Sequence, residues 1–237
     1  MIGKSVISFT ECSLHRQEQL VLDIDDLEIY KSEFVYLVGA VGAGKSTLIK
    51  SICAEILPQK GKLKVAEFDL STIKPKEIPY LRRRLGIVFQ DYKLLTDRNV
   101  EKNLDFVLKS TGWTDKNKIT QRIMEVLHTV EMEKMRTRMP HELSGGEQQR
   151  ICIARAILNE PEIILADEPT AQLDPQNAEN IIKLLERLNS TGKTVVVATH
   201  AHALVEKFPH KTYILKNKSI KLEENFSTEG DYMGLLN

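Results

Sequence analysis

The residues able to do chemistry fall in a few short stretches, and the most specific is Gly39-Ala40-Val41-Gly42-Ala43-Gly44-Lys45-Ser46-Thr47. From Gly39 to Ser46 it fits G-x-x-x-x-G-K-[ST]. Glycines let the backbone curl so that several N–H groups point at one anion, and the positive end of a following helix adds to that field. In such a loop Lys45 can reach the β- and γ-phosphates of a nucleoside triphosphate, and the Ser46 hydroxyl can ligand magnesium. A Gly/Ala-rich turn could show the same letters, but the flanks argue against it. An apolar, β-forming run at 34–38 precedes the loop, and 48–57 reads as a helix.

A second stretch, Glu162-Ile163-Ile164-Leu165-Ala166-Asp167-Glu168, is an apolar strand ending in two carboxylates. Strand ends often finish on acids, so alone it says little. About 120 residues after a phosphate loop it places Asp167 where a carboxylate holds magnesium, directly or through water, and Glu168 where it polarises an attacking water. Thr199-His200 closes another apolar strand, 194–198, at the same expected sheet edge. His200 there can bond a γ-phosphate oxygen or orient water, whereas His128, His141, His202 and His210 read as ordinary surface or capping histidines. Gln90 ends the apolar run 85–89 and can offer its amide oxygen to magnesium or to the attacking water. Finally, Leu143-Ser144-Gly145-Gly146-Glu147-Gln148-Gln149-Arg150 opens a helix that continues to Leu158. The Ser144 hydroxyl and the bare N–H groups behind it make a second anion site, or else a plain Ser-Gly cap.

The elements that must position these groups follow from periodicity. Short strands are expected at 6–9 and 20–24, a half-exposed strand with solvated Lys60, Lys62 and Lys64, a turn bracketed by Pro75 and Pro79, and a short helix at 80–84. Asn99 and Asp115 are caps for helices reaching Leu108 and Val130, and Asp174-Pro175 opens one running to Leu188. Strands are expected again at 163–166, 194–198 and 212–215. This order predicts an α/β fold: a largely parallel sheet with helices on both faces, antiparallel strands at the N-terminus and a helical insert. Residues 1–90 and 159–222 would form the core, 91–158 the insert and 223–237 a loose tail, all within one domain.

Composition narrows the function classes. The chain has 237 residues, with Lys plus Arg and Asp plus Glu both at 33, so a broad nucleic-acid-binding surface is not expected. Cys12, Cys53 and Cys152 are too scattered for a disulfide framework or zinc site and read as reduced cytosolic thiols. No apolar region follows the N-terminus, so no signal peptide is expected. No apolar run nears the roughly 18 residues of a membrane span, so direct membrane insertion is not expected and a membrane role needs a partner.

Taken together, Gly39 to Thr47, Gln90, Leu143 to Arg150, Ile163 to Glu168, Asp174 and His200 resemble the nucleotide-binding subunits of ATP-binding-cassette (ABC) systems, from Val6 to about Leu222. The resemblance implies a P-loop NTPase core and an ATP hydrolase using ATP and Mg2+. It makes Gly39 to Thr47 the Walker A loop, Gln90 the Q-loop, Ser144, Gly145, Gly146 and Glu147 the signature, and Asp167 Walker B. Glu168 becomes the catalytic base, His200 the switch and Asp174 the D-loop. Two copies would close head to tail on ATP. The stretch 78–91, with Lys93-Leu94-Leu95-Thr96-Asp97-Arg98, is similar to the FtsE family of cell-division ATPases. It implies an FtsX-like transmembrane subunit docked on the segment from Asp91 to Val100, control of peptidoglycan hydrolysis, and a cytoplasmic position on the inner face of the plasma membrane. Lipoprotein-release or macrolide-export ATPases are the alternative, and a soluble ABC ATPase of repair or translation a second. Two departures stand out. No aromatic precedes the loop to stack on adenine, leaving His15 or Arg16, and Ala171-Gln172 replaces the commoner Gly-Asn.

Overall fold

The computed structural model describes residues 5–223. Two long strands open it, β1 (Ser5–Arg16) and β2 (Gln19–Tyr30), paired antiparallel around a tight turn in which Gln17 and Glu18 both have positive φ. After the fully buried β3 (Phe34–Val38) comes α1 (Lys45–Ile52); then β4 (Lys60–Val65) returns beside β1 and the two-residue β5 (Phe68–Asp69) edges that sheet. A short helix, α2 (Ile78–Arg83), leads into β6 (Leu85–Val88). The helical stretch follows: α3 (Val100–Ser110), α4 (Lys116–Thr129), two single 3-10 turns and α5 (Gly145–Ala156). The chain then alternates β7 (Ile163–Asp167), α6 (Pro175–Ser190), β8 (Thr194–Thr199), α7 (His202–Lys207), β9 (Lys211–Lys216) and β10 (Ser219–Glu223).

The six-stranded sheet runs β10-β9-β3-β8-β7-β6, parallel throughout except for the β9–β10 hairpin. The central strands β3, β7 and β8 read as near-continuous apolar runs because both faces are covered, as parallel strands require. Side chains alternate between the two faces. Val35, Leu37, Leu165 and Val196 pack with the antiparallel sheet and α1, whereas Tyr36, Ile164, Ala166 and Val197 pack with α5, α6 and the helical stretch. The apolar faces of α3 and α4 (Leu104, Leu108, Ile119, Ile123) belong to that second cluster, so one continuous core joins sheet and insert. Truncating any of these to Ala is expected to cost about 2–5 kcal/mol. Among the described residues, no helix is long and apolar enough to cross a membrane.

The caps sit where the sequence places them. Asn99 accepts from the Lys102 N–H, Asp115 from Asn117 and Lys118, Asp174 from Asn177. Boundaries differ where local chemistry is quiet. The first helix stops at Ile52, not near Leu57, because Ala54 turns left-handed (φ 52°). The Glu55 N–H reaches the Lys50 carbonyl and the Ala54 N–H that of Ser51, a Schellman closure usually marked by glycine. Arg82 then binds the Cys53 and Ala54 carbonyls from outside. The expected turn between Pro75 and Pro79 is present, closed by the Glu77 N–H on the Lys74 carbonyl, with Pro79 in the first turn of α2, whereas β1 and β2 run well beyond the expected 6–9 and 20–24. β5, α7 and β10 have no counterpart in the sequence reading. The tail expected from 223 onward lies outside the described residues, apart from Glu223, which ends β10.

Candidate functional site

The parallel strands β3, β6, β7 and β8 all end at one edge of the sheet, where a doubly covered α/β sheet places its ligands. Residues 39–44 leave β3 there and turn into α1. Two glycines decide the path. A side chain on Gly39 would stand 2.7 Å from the Leu215 carbonyl oxygen, and Gly44, the residue that starts α1, has φ 105°, a conformation open to glycine at no cost. Gly44 supplies no side-chain cap, and the first turn of α1 carries no acid, so its leading N–H groups face outward unanswered.

Around this helix start lies a cavity of about 340 Å³ lined by Arg16, Val21, Val41, Gly42, Gly44, Lys45, Ser46, Thr47, Gln90, Glu168 and His200. Residues from six separate places in the chain therefore meet. Lys45, only 6% exposed, donates to the Gly39 and Ala40 carbonyls at 2.7 and 3.2 Å and sits 3.2 Å from Glu168 Oε1. The other carboxylate oxygen, Oε2, lies 2.9 Å from His200 Nδ1 and accepts the His200 backbone N–H at 3.4 Å. Glu168 is itself left-handed (φ 49°), a strained conformation for a glutamate, and its N–H is bound to the Ala198 carbonyl at 2.9 Å. Ser46 Oγ donates to Asp167 Oδ1 at 3.1 Å. Burial pushes the Asp167 carboxyl above its ordinary range, an effect the Ser46 hydroxyl partly offsets and the neighbouring Glu168 charge reinforces.

These donors suit a magnesium ion. Among the described residues no three His, Cys, Asp or Glu side chains converge as a cage. Ser46 lines the cavity and Asp167, bonded behind it, does not; one hydroxyl backed by one partly buried carboxylate is the donor set of a cation that keeps waters and takes its remaining ligands from phosphate oxygens.

Arg16 reaches the cavity; His15, its neighbour on β1, is not among the lining residues, and its Nδ1 is buried without a hydrogen-bond partner. Val21 lines the same end and went unnoticed in the sequence, where it reads only as a strand residue. Ser144, Gly145, Gly146 and Glu147 are not brought to this cavity. The Ser144 hydroxyl caps α5 against the Glu147 N–H, and the Glu147 carboxylate returns to the Ser144 N–H and hydroxyl at 2.8 Å, a complete capping box. Gly146 lets α6 approach, since a Cβ there would meet Asn177 Oδ1 at 3.0 Å. Asp174 holds that same Asn177 through its N–H and its amide, at 3.0 and 2.6 Å.

The segment 91–99 rests on Asn103, 2% exposed, whose amide binds the N–H and carbonyl of Leu95 and the carbonyl of Arg98. Nothing in the sequence around Asn103 marks it out from an ordinary surface helix residue.

The ABC transporter family pattern matches residues 22–171. The cell-division ATP-binding protein FtsE of Streptococcus pneumoniae serotype 2 (strain D39) is 45% identical over 206 residues, 87% of this chain and 88% of that protein. FtsE of Bacillus subtilis (strain 168) is 44% identical over 204 residues, covering 86% and 89%. The chain belongs to the FtsE family of ABC ATPases. FtsE of Escherichia coli K12 is 40% identical over 185 residues, 78% of this chain and 83% of that one. Among solved structures, the ATP-binding cassette MJ0796, in a dimeric post-hydrolysis state bound to ADP and Pi, superposes with a TM-score of 0.81 at 31% identity, covering 94% of this chain and all of that one. The cassette cbiO1 of Clostridium perfringens gives 0.85 at 26% identity, covering 94% and 89%. This FtsE-family cassette is therefore an ATP-hydrolysing ABC subunit of cell division, with the mixed α/β P-loop architecture.

Proposed function

We propose that this cassette binds ATP with Mg2+ in the cavity at the head of α1 and hydrolyses it as a head-to-tail homodimer, driving an FtsX-like membrane subunit that controls peptidoglycan hydrolysis. The observation that carries the reading is the gathering of two bonded sets, Lys45–Glu168–His200 and Ser46–Asp167, beside an uncapped helix start. In it, residues 39–47 wrap the triphosphate with backbone N–H groups, and Lys45 leaves Glu168 for the β- and γ-phosphates. Ser46, Asp167 and Gln90 would hold the Mg2+, whose charge would offset that developing on the phosphate oxygens. Glu168, freed from Lys45, polarises the attacking water, and His200 orients that water or the γ-phosphate while steadying the carboxylate. Arg16 and Val21 are the groups available at the base end. Ser144 to Glu147, lying outside their own chain's cavity, would complete that of a second copy, with Asp174 at the same interface. Closure would then depend on an intact γ-phosphate, and hydrolysis would weaken it.

The exposed side of 91–100 supports docking of the membrane subunit. Lys93 covers the Phe89 ring at 4.4 Å and Arg98 the Phe106 ring at 4.8 Å, each also paired with an aspartate (Asp91 and Asp97), giving a charge-balanced, aromatic strip on a firmly held loop. Such docking would place the cassette peripherally on the inner face of the plasma membrane. Affinity purification from native membranes tests the reading. Recovery of an FtsX-like protein with a large outer domain, lost on changing Asp91, Asp97 and Asn99 while intrinsic ATPase is spared, is expected. Recovery of a lipoprotein-release permease would replace it with the exporter alternative.

A further inference from the structure

Two residues past Gln90 the backbone does something unusual. Tyr92 and Lys93 are both left-handed (φ 53° and 51°), consecutively and without a glycine, a conformation that residues of this bulk rarely adopt. The Lys93 N–H closes a three-residue turn onto the Asp91 carbonyl at 2.5 Å. Strained backbone of this kind persists only where its surroundings over-determine it.

The surroundings come from one helix. Arg155, near the end of α5, sends its guanidinium fork to both carbonyls, Nη2 to Tyr92 at 2.7 Å and Nη1 to Lys93 at 2.5 Å. Cys152, one turn earlier, donates its thiol to the Tyr92 carbonyl at 3.1 Å. At the other end of α5, a Cβ on Gly145 would come within 3.0 Å of the Tyr92 hydroxyl, so the ring lies along the helix and its tip reaches the helix start. Tyr92 and Lys93 are thus fastened to α5, and Gln90, which lines the cavity, lies only two residues upstream. Two residues span at most about 7 Å, so fixing Tyr92 confines Gln90.

We infer that Arg155 is a positioning residue: by clamping the strained Tyr92–Lys93 turn onto α5, it sets where the Gln90 side chain stands in the ATP cavity. This rests on the reading of that cavity as the hydrolytic site. Arginine is required because two carbonyls at a fixed separation need two diverging donors on a rigid plane, which a lysine ammonium does not present. The clamp acts on the geometry of the chemical step and not on the grip of Lys45 and the loop on the triphosphate, so it moves kcat and leaves KM for ATP nearly constant.

A double-mutant cycle on the full chain tests this. Gln90→Ala is expected to lower kcat by about 10- to 100-fold, the range a small misplacement at a reacting centre produces. Arg155→Ala should lower kcat by a similar factor with KM changed less than about twofold, and Arg155→Lys should not restore it. The variant carrying both Gln90→Ala and Arg155→Ala should be no slower than Gln90→Ala alone. Circular dichroism and melting curves check folding; if Arg155→Ala does not fold, Arg155→Lys takes its place in the cycle. Multiplying losses, or wild-type kcat in folded Arg155→Lys, overturn the inference alone. Full turnover in Gln90→Ala would remove Gln90 from the site and this inference with it, while the hydrolytic reading, carried by Lys45, Glu168 and His200, falls only if Glu168→Gln also turns over at the wild-type rate.

Discussion

The helices α1 and α5 both begin on glycine-containing turns beside a serine, yet their N-termini are in opposite states. At α1 the starting residue is a left-handed glycine with no side-chain cap and no acid in the first turn. At α5 the starting Ser144 and the first-turn Glu147 answer each other's donors completely. A helix start attracts an anion because its first N–H groups lack partners, and α1 is the vacant end in the sense that no side chain of its own engages it. At α5 the Glu147 carboxylate holds the Ser144 N–H and hydroxyl instead. Ser144 can engage an outside phosphate only by exchanging Glu147 for it, which makes α5 a conditional contact and α1 a constitutive one.

The largest expected effect falls on the vacant end. Lys45→Ala should abolish ATP binding, a loss of at least about 100-fold by calorimetry, because it removes a cation that is buried at the cavity of the proposed site. A retained micromolar affinity would erase the contrast. Glu168→Gln comes next, lowering turnover by about 10²–10⁴-fold while leaving ATP bound. Steady-state ATPase at the wild-type rate in that variant would take Glu168 out of the mechanism. Ser144→Ala should separate the two helix starts: ATP affinity of the single chain stays within about twofold and the cost to α5 is about 1 kcal/mol. ATP-dependent dimerisation, followed by light scattering in the Glu168→Gln background, should fall at least tenfold. Equal losses of affinity and dimerisation would mean that Ser144 serves its own chain's nucleotide.

The smallest effect reads the rigidity of the two regions. Burial pushes the thiols of Cys53, just past α1, and Cys152, inside α5, up to about 12, and Cys12 to about 11. At pH 8 all three should stay protonated and resist iodoacetamide until the chain unfolds. Labelling of Cys152 ahead of Cys53 would show that α5 opens first and sharpen the contrast between the regions.

Much of the vacant end was legible in the sequence because each part has a mechanism written in residue types: glycines where the backbone curls, apolar runs for buried strands, carboxylates at their ends. The caps Asn99, Asp115 and Asp174 were legible for the same reason. What escaped detection lacks a sequence sign. Ala54 ends α1 in a conformation normally signalled by glycine, and Asn217-Lys218 turns β9 into β10 without the Asn-Gly pair that marks such hairpins. Arg16 and His15 are equivalent in the sequence, and strand alternation brings only Arg16 to the cavity. Asn103 supports its loop by accepting the Leu95 N–H and donating its amide hydrogens to the Leu95 and Arg98 carbonyls, partners that its own sequence neighbourhood does not announce.

A crystal structure of Glu168→Gln grown with Mg2+ and ATP tests the central claim most directly. Two copies should face each other, each triphosphate held by Lys45 and Ser46 of one and touched by the Ser144 hydroxyl of the other, with Glu147 released from the Ser144 N–H. Nucleotide held by one copy alone in every packing arrangement, with the capping box of α5 still closed, would contradict it.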